Sequence, residues 1–153
     1  MLPFHIVLVA PEIPANTGNI ARTCLATGAH LHLVKPLGFQ IDDRSLRRAG
    51  LDYWKEVHVM VWENFEDFCA SRPPEARNFF LTTKSQKPYY QTQFCPGDAL
   101  VFGRETKGLP ESLLAANAAN CLTIPMSQQT RSLNLSVSVG IVLYEAIRQH
   151  ALL

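Results

Sequence analysis

The chain has 153 residues, of which 47% are hydrophobic and 18% charged, with a formal net charge of +1. This length predicts one compact domain, residues 1–153, and the apolar content excludes a disordered chain. The near-neutral charge excludes a uniformly basic nucleic-acid binder, so any such role must rest on local patches.

Cysteine and histidine spacing argues against a metal site. No C-x-x-C pair occurs, and no histidine lies at ligand spacing from a cysteine. Scattered cysteines fit a reducing cytoplasm. The first apolar run, residues 4–10, ends at Pro11 and is too short for a signal sequence or a membrane span. We therefore expect a cytoplasmic protein with no metal and no membrane partner. The four cysteines are Cys24, Cys69, Cys95 and Cys121.

Hydrophobic patterning predicts strands and helices that alternate along the chain. The run at 4–10 is a buried strand, and a helix with N-cap residues at 16–19 follows it through Thr27 and stops at Gly28. His30 and His32 share one face of the next strand, which is more typical of a polar, solvent-facing side than of metal ligands. This alternation favours an α/β fold with a parallel sheet. Further strands are predicted at 30–34, 57–61, 79–82, 99–102 and 122–124, and further helices at 44–49, 65–70, 110–116 and 135–150.

Three loops directly follow predicted strands, where ligands bind in open α/β sheets. No G-x-G-x-x-G motif occurs, which excludes an ordinary Rossmann-type enzyme. Gly103 and Gly108 have the glycine spacing of a Walker loop, but Leu109 and Pro110 replace its Lys and Ser/Thr, which excludes a P-loop. The Gly103–Gly108 segment around Glu105 is then either a ligand-binding loop or a tight turn with solvated charges.

The third loop, residues 124–136, is rich in small polar groups and leads into the last predicted helix. Ser132, Asn134 and Ser136 stand near the start of that helix, where such residues commonly act as caps. By spacing alone, this loop is either a helix cap or part of a binding site.

Taken together, three segments resemble the three motifs of the SPOUT RNA methyltransferases. Within that superfamily the chain is similar to the minimal enzymes that methylate the ribose 2′-hydroxyl at the wobble position of tRNA. Three motifs in the right order are far more specific than any one of them. The motifs lie at 14–22, 102–110 and 124–136, with further similarity at Gly38-Phe39 and at 46–53, and the resemblance runs from about Ile6 to Arg148.

The resemblance implies a fold that patterning does not reveal: a parallel sheet with flanking helices and a deep C-terminal trefoil knot. Knots are nearly absent from proteins, so no general topology rule predicts one. It also implies a homodimer with the last helix and the first motif near the interface. The apolar stripe on residues 135–150 permits such an interface, although packing against the chain's own core explains it equally well.

The resemblance further implies that S-adenosylmethionine is the methyl donor and S-adenosylhomocysteine the product. An apolar slot at Ile124 and Leu133 suits an adenine ring, whereas Phe102 is expected to belong to the core. The implied cofactor-binding residues are Leu81, Thr82, Gly103, Glu105, Ile124, Met126, Ser132, Leu133 and Asn134.

Arg22, Asn16, Ser132 and Asn134 are the implied catalytic residues. The ribose hydroxyl must lose its proton, yet a guanidinium stays protonated under ordinary conditions. Our hypothesis is that Arg22 orients the hydroxyl and stabilises the negative charge that develops on it. A structural helix arginine is the alternative.

Basic residues lie in the predicted site loops, whereas acidic residues concentrate elsewhere, which would give a near-neutral chain a positive RNA face. Tyr89 and Tyr90 are interpreted either as base-stacking residues or as loop packing. The basic candidates are Arg44, Arg47 and Arg48 on one helix face, and Lys84, Lys87, Arg104, Lys107 and Arg131 in the loops; the acidic residues are Glu63, Glu66, Asp67 and Glu75.

The resemblance favours methylation of cytidine or modified uridine at the wobble position, in leucine isoacceptors. One alternative is a SPOUT enzyme that acts on ribosomal RNA or on another tRNA position. A second alternative is a catalytically silent module that binds RNA or an adenine nucleotide.

Overall fold

A computed structural model describes residues 2–42 and 44–151. The side chains of Arg47 and of residues 50–53 lie outside the description, so the predicted RNA contact of Arg47 and part of the 46–53 similarity have no structural account here. The strands are β1 (His5–Val9), β2 (His30–Val34), β3 (Val59–Trp62), β4 (Asn78–Leu81), β5 (Ala99–Phe102) and β6 (Cys121–Leu122). The α-helices are α1 (Pro14–Thr27), α2 (Arg44–Gly50), α3 (Phe65–Ala70), α4 (Glu111–Ala116) and α5 (Leu135–His150), with 3-10 turns at Leu51–Glu56, Tyr89–Gln91 and Ala118–Asn120.

The six strands of the described residues form one parallel sheet in the order β3-β2-β1-β5-β4-β6. The sequence-based prediction of a parallel α/β fold is therefore confirmed. The strand order changes direction between the neighbours β1 and β5, so the chain leaves their carboxyl ends on diverging paths. A crevice opens at such a point and is the usual place for a ligand in this class of sheet.

Two hydrophobic layers cover the sheet. On one face α1 and α5 pack through residues such as Ile20, Cys24, Val142 and Leu143, all of which are fully buried. On the other face the core is built around Phe68 of α3 together with side chains at the start of α4. Because both faces are covered, the strands are mostly hydrophobic, as parallel strands usually are. Among the described residues, no helix is both long and apolar enough to span a membrane.

The start of α1 differs from the prediction. The helix begins at Pro14 rather than in the 16–19 region, and its N-cap residue, Ile13, has no side-chain cap of its own. Pro14 fits the first turn of a helix because its fixed φ is already helical and it has no N–H to satisfy. The helix ends at Thr27, as predicted, with Gly28 in the left-handed conformation at φ 74°.

Two strand boundaries also differ. β3 begins at Val59, two residues later than predicted. β6 covers only Cys121–Leu122, because Thr123 pairs instead with Pro88 in the connection between β4 and β5. The remaining predicted elements match within a residue or two at each end.

The prediction of a solvent-facing His30/His32 side is wrong for His32, which is 2% exposed. The indole Nε1–H of Trp62 donates to His32 Nδ1 at 3.0 Å, and His32 Nε2 lies 2.9 Å from His5 Nδ1. An indole nitrogen can only donate, so the neutral His32 ring carries its proton on Nε2 and donates it to His5. Burial, followed by the neighbouring His5, lowers the pKa of His32 to about 3. Among the described residues, no group of three or more His, Cys, Asp or Glu side chains is arranged to hold a metal ion.

Candidate functional site

A cavity of about 350 Å³ lies at the carboxyl edge of the sheet. Its walls come from the loops after β4, β5 and β6, from the start of α1 and from the segment that leads into α5. Its volume is in the range of small-molecule sites, which span about 300–1,000 Å³. The crevice expected from the strand order is thus the place where the three motif segments meet.

The residues predicted for the site converge on this cavity, with one exception. Arg22 does not line it and is exposed on α1, six positions after Asn16. Ten others line it: Asn16, Leu81, Thr82, Gly103, Glu105, Ile124, Met126, Ser132, Leu133 and Asn134.

Glu105 caps α1 from another part of the chain. Its two carboxylate oxygens accept hydrogen bonds from the backbone N–H groups of Glu12 and Ile13, both at 2.8 Å. The Asn16 side-chain amide donates to the same carboxylate at 3.1 Å. A negative charge at this helix end satisfies N–H groups that have no helical partner and complements the helix dipole. Glu105 therefore stabilises the start of α1 in addition to lining the cavity.

The hydrogen bonds continue from Asn16 to the start of α5. Asn134 donates from Nδ2 to Asn16 Oδ1 at 3.1 Å, and its own Oδ1 accepts from the backbone N–H groups of Ser136 and Val137 as the N-cap of α5. The interpretation of the 124–136 loop as a helix cap is thus confirmed for Asn134. The chain Glu105–Asn16–Asn134 connects all three motif segments.

The two ends of this chain fix the orientation of both amides. Glu105 can only accept, so Asn16 presents its NH2 group to it. Asn134 must accept from backbone N–H groups at the cap, so it presents its own NH2 group to Asn16. Backbone N–H groups hold the Asn134 amide in one orientation. The Glu105 carboxylate, itself fixed by two backbone N–H groups, holds the Asn16 amide. The arrangement fixes the relative positions of α1, the 103–108 loop and α5 around the cavity.

Glu12 accepts hydrogen bonds from the same loop that caps α1, and the sequence alone did not single it out. Its Oε1 accepts hydrogen bonds from the Thr106 hydroxyl at 2.7 Å and from the Thr106 N–H at 3.1 Å. These two bonds lower the pKa of the Glu12 carboxyl, and the charges of Arg104 and Lys107 add to the shift. A signal for Glu12 existed: it stands in the loop directly after β1, at the edge where ligand loops meet.

The backbone of Glu12 also has a close neighbour in the Gly38-Phe39 segment. A Cβ added at Gly38 would lie 2.7 Å from both Glu12 Cα and Glu12 O. Only glycine allows this approach. The resemblance at Gly38 thus coincides with a packing requirement beside the capped end of α1.

The cavity offers two kinds of surface. Apolar side chains come from Leu81, Ile124, Met126 and Leu133, and polar groups come from Thr82, Ser132 and the Asn16–Asn134 pair. Apolar walls suit an adenine ring, whereas hydroxyl and amide groups suit a ribose and an amino-acid moiety. Phe102 is 2% exposed and belongs to the core, as predicted, although it also contributes to the cavity wall.

The chain is similar to known proteins over nearly its whole length. Residues 3–144 match the SpoU rRNA Methylase family. A putative tRNA (cytidine(34)-2′-O)-methyltransferase of Geobacillus stearothermophilus is 48% identical, with 98% of this chain and 97% of the relative covered. A structure described as giving insight into the 2-OH methylation of C/U34 on tRNA superposes with a TM-score of 0.93 at 45% identity and covers 98% of this chain and 97% of that one.

A more distant structure, an AdoMet-bound rRNA methyltransferase from Sinorhizobium meliloti, has a TM-score of 0.82 at 26% identity. It covers 95% of this chain, which in turn spans 56% of that protein. The family match over residues 3–144 and the 48% identity to a relative of nearly the same length lead to one assignment. This chain belongs to the SpoU rRNA methylase family.

Proposed function

We propose that this chain transfers a methyl group from S-adenosylmethionine to the ribose 2′-hydroxyl of the wobble nucleotide of tRNA, cytidine or modified uridine. The observation that carries the proposal is the hydrogen-bonded chain Glu105–Asn16–Asn134, which joins the three motif segments around one cavity. Relatives of nearly the same length, from Burkholderia cenocepacia and Methylovorus glucosotrophus, carry the name tRNA (cytidine(34)-2′-O)-methyltransferase.

The cavity fits the proposed methyl donor. Its apolar walls at Leu81, Ile124 and Leu133 would hold the adenine, and the Thr82 and Ser132 hydroxyls would meet polar parts of the molecule. When bound, S-adenosylmethionine supplies an electrophilic methyl group on a sulfonium, and S-adenosylhomocysteine is the product. The chain's own contribution is to hold donor and ribose in line, and positioning of this kind supplies a large part of the rate in displacement reactions.

Arg22 is the proposed catalytic cation, and its place outside this chain's cavity calls for a second subunit. The exposed apolar side chains of α5 support a homodimer: Val137 is 50% exposed and Tyr144 is 46% exposed, seven positions apart on one helix face. A Cβ added at Gly140, between them, would meet nothing within 4 Å, so another chain has room to approach there. In such a dimer Arg22 would act at the partner's cavity, where it orients the hydroxyl and stabilises developing negative charge.

The path after β6 supports the proposed C-terminal knot. Strand β6 lies at the edge of the sheet, and Thr123 directly after it is hydrogen-bonded to the connection between β4 and β5. The Thr123 N–H donates to Lys87 O at 2.8 Å, and Thr123 O accepts from the Tyr89 N–H at 2.9 Å. The chain then returns to α5, which packs on α1 near the middle of the sheet. We propose that residues 1–153 form one knotted methyltransferase domain and that it acts in the cytoplasm.

The test uses purified protein, labelled S-adenosylmethionine and bulk tRNA or ribosomal RNA as acceptors. The proposal predicts label in tRNA as 2′-O-methyl at the wobble position, with leucine isoacceptors as the first tRNAs to examine. The variant Ser132→Trp should abolish labelling because the indole would fill the cavity from an exposed position, whereas Arg148→Gln on the last turn of α5 should leave it unchanged. Label only in ribosomal RNA, at another tRNA position, or in neither RNA would contradict the proposal.

A further inference from the structure

The loop between β5 and α4 is a closed turn. The Gly108 N–H donates to the Arg104 carbonyl at 2.9 Å, and the two residues form an antiparallel bridge. A Cβ added at Gly103 would lie 2.1 Å from the carbonyl carbon of Gly108. The two ends of the loop are therefore in contact, and residues 104–107 form its tip.

The two middle residues of the tip are held against the start of α1. Glu105 accepts from the Glu12 and Ile13 N–H groups, and Thr106 donates twice to the Glu12 carboxylate. With the middle of the tip fixed on one side, the flanking side chains of Arg104 and Lys107 line the cavity. The turn thus presents two cations to the proposed active site.

The side chains of Arg104 and Lys107 are available to bind a ligand. Lys84, the third cationic residue that lines the cavity, is not. Lys84 forms an ion pair with Glu111 at 2.9 Å. Within the described part of the chain, the Arg104 and Lys107 side chains donate no hydrogen bond to a protein acceptor. The charges of both cations act on the Glu12 carboxylate, which is engaged by Thr106, and the Glu105 carboxylate between them is engaged by the start of α1. A half-buried guanidinium with unused donors is suited to bind a planar or tetrahedral oxyanion.

We propose that Arg104 and Lys107 form an anion-binding pair at the mouth of the cavity. The inference rests on the proposed function, in which two partners carry the required anionic oxygens: the carboxylate of S-adenosylmethionine and a phosphodiester beside the target ribose. Arg104 contributes the directional fork and Lys107 a mobile point charge. Both side chains position a reactant; neither takes part in proton or methyl transfer.

The experiment compares Arg104→Gln and Lys107→Gln with a control, Arg148→Gln, that removes the same charge. Arg148 stands 10 residues after Ser138, the last residue of α5 that lines the cavity, so it lies about 15 Å along the helix from the cavity at 1.5 Å per residue. Binding of S-adenosylmethionine is measured by calorimetry without RNA. The KM for tRNA, the kcat and direct tRNA binding are measured at several salt concentrations.

A carboxylate ligand predicts about tenfold weaker S-adenosylmethionine binding in Arg104→Gln with an unchanged salt dependence of tRNA binding. A phosphate ligand predicts unchanged cofactor binding, a tRNA KM about 5–10-fold higher, and a salt slope smaller by about 0.7 for each lost contact. In either case Arg104→Lys should recover part of the loss because it restores the charge.

Values for both variants equal to those of Arg148→Gln in both binding measurements would overturn the proposal, as would a fall in kcat alone. The wild-type protein in the same assays tests the proposed function separately. If it methylates tRNA while the Arg104 and Lys107 variants bind both reactants normally, only the anion-binding pair is wrong.

Discussion

Replacing Glu105 by Gln should lower the free energy of unfolding. The carboxylate accepts three hydrogen bonds, from the N–H groups of Glu12 and Ile13 and from the Asn16 amide. A glutamine has one acceptor oxygen, so in either orientation its NH2 group faces at least one backbone N–H. A polar group left without its partner costs about 1–3 kcal/mol, and loss of the negative charge from a helix N-terminus costs about 0.3–1 kcal/mol more.

We expect a total loss of about 2–3 kcal/mol, because the Ile13 contact is exposed and water can replace part of it. For a domain of this size the loss corresponds to a Tm lower by about 5–10 °C. Differential scanning calorimetry at neutral pH measures it. Glu111→Gln is the matched control: its side chain is 86% exposed in the pair with Lys84, and exposed pairs of this kind contribute little to the free energy of unfolding. Equal melting temperatures for Glu105→Gln and wild type would refute the capping role of Glu105.

Two further predictions concern Arg22 and His32. If Arg22 acts at the partner's cavity, co-expression of Arg22→Ala chains with Ser132→Trp chains should restore about a quarter of the wild-type rate, since half of randomly assorted dimers would carry one intact composite site. No activity in the mixture would place Arg22 in its own chain's site, and full activity of Arg22→Ala alone would place it outside the mechanism. The pKa of His32 is lowered by burial from 6.5 to about 3, so its stabilising contribution is complete above pH 6.5 and falls with pH below that value, by about 2 kcal/mol at pH 5. Urea unfolding of His32→Gln, followed by the fluorescence of Trp54 and Trp62, should show a smaller loss of unfolding free energy between pH 7.5 and pH 5 than wild type and than His58→Gln. Equal losses in all three proteins would contradict this role of His32.

Sequence patterning predicted the elements that are specified by the local sequence of the element itself. β5 and α5 were predicted at their observed bounds because each is a continuous apolar segment or a regular apolar stripe between breakers. It also predicted which loops matter, since loops that follow parallel strands meet at one edge of the sheet. The resemblance to a known family then supplied the residues of the cavity, which spacing alone had described only as a turn and a capped loop.

Patterning failed where a contact joins distant parts of the chain. The start of α1 was placed too late because its cap, Glu105, is 93 positions away from Glu12 in sequence. His32 was assigned to a solvent-facing side because its burial depends on Trp62 and Phe68, which belong to other elements. Rules that use only neighbouring residues in the sequence cannot predict contacts with such distant partners.

The sequence by itself determined the parallel α/β class, the three loops at the carboxyl edge and the family resemblance, because these depend on periodicity and on motifs that are continuous in the chain. The tertiary structure decided that Glu105, Asn16 and Asn134 form one hydrogen-bonded chain, and that Arg22 lies outside the cavity that the other candidates share. Asn134 and Asn16 are 118 positions apart. Their contact exists only because the order of the strands brings the start of α1 and the start of α5 to the same edge of the sheet.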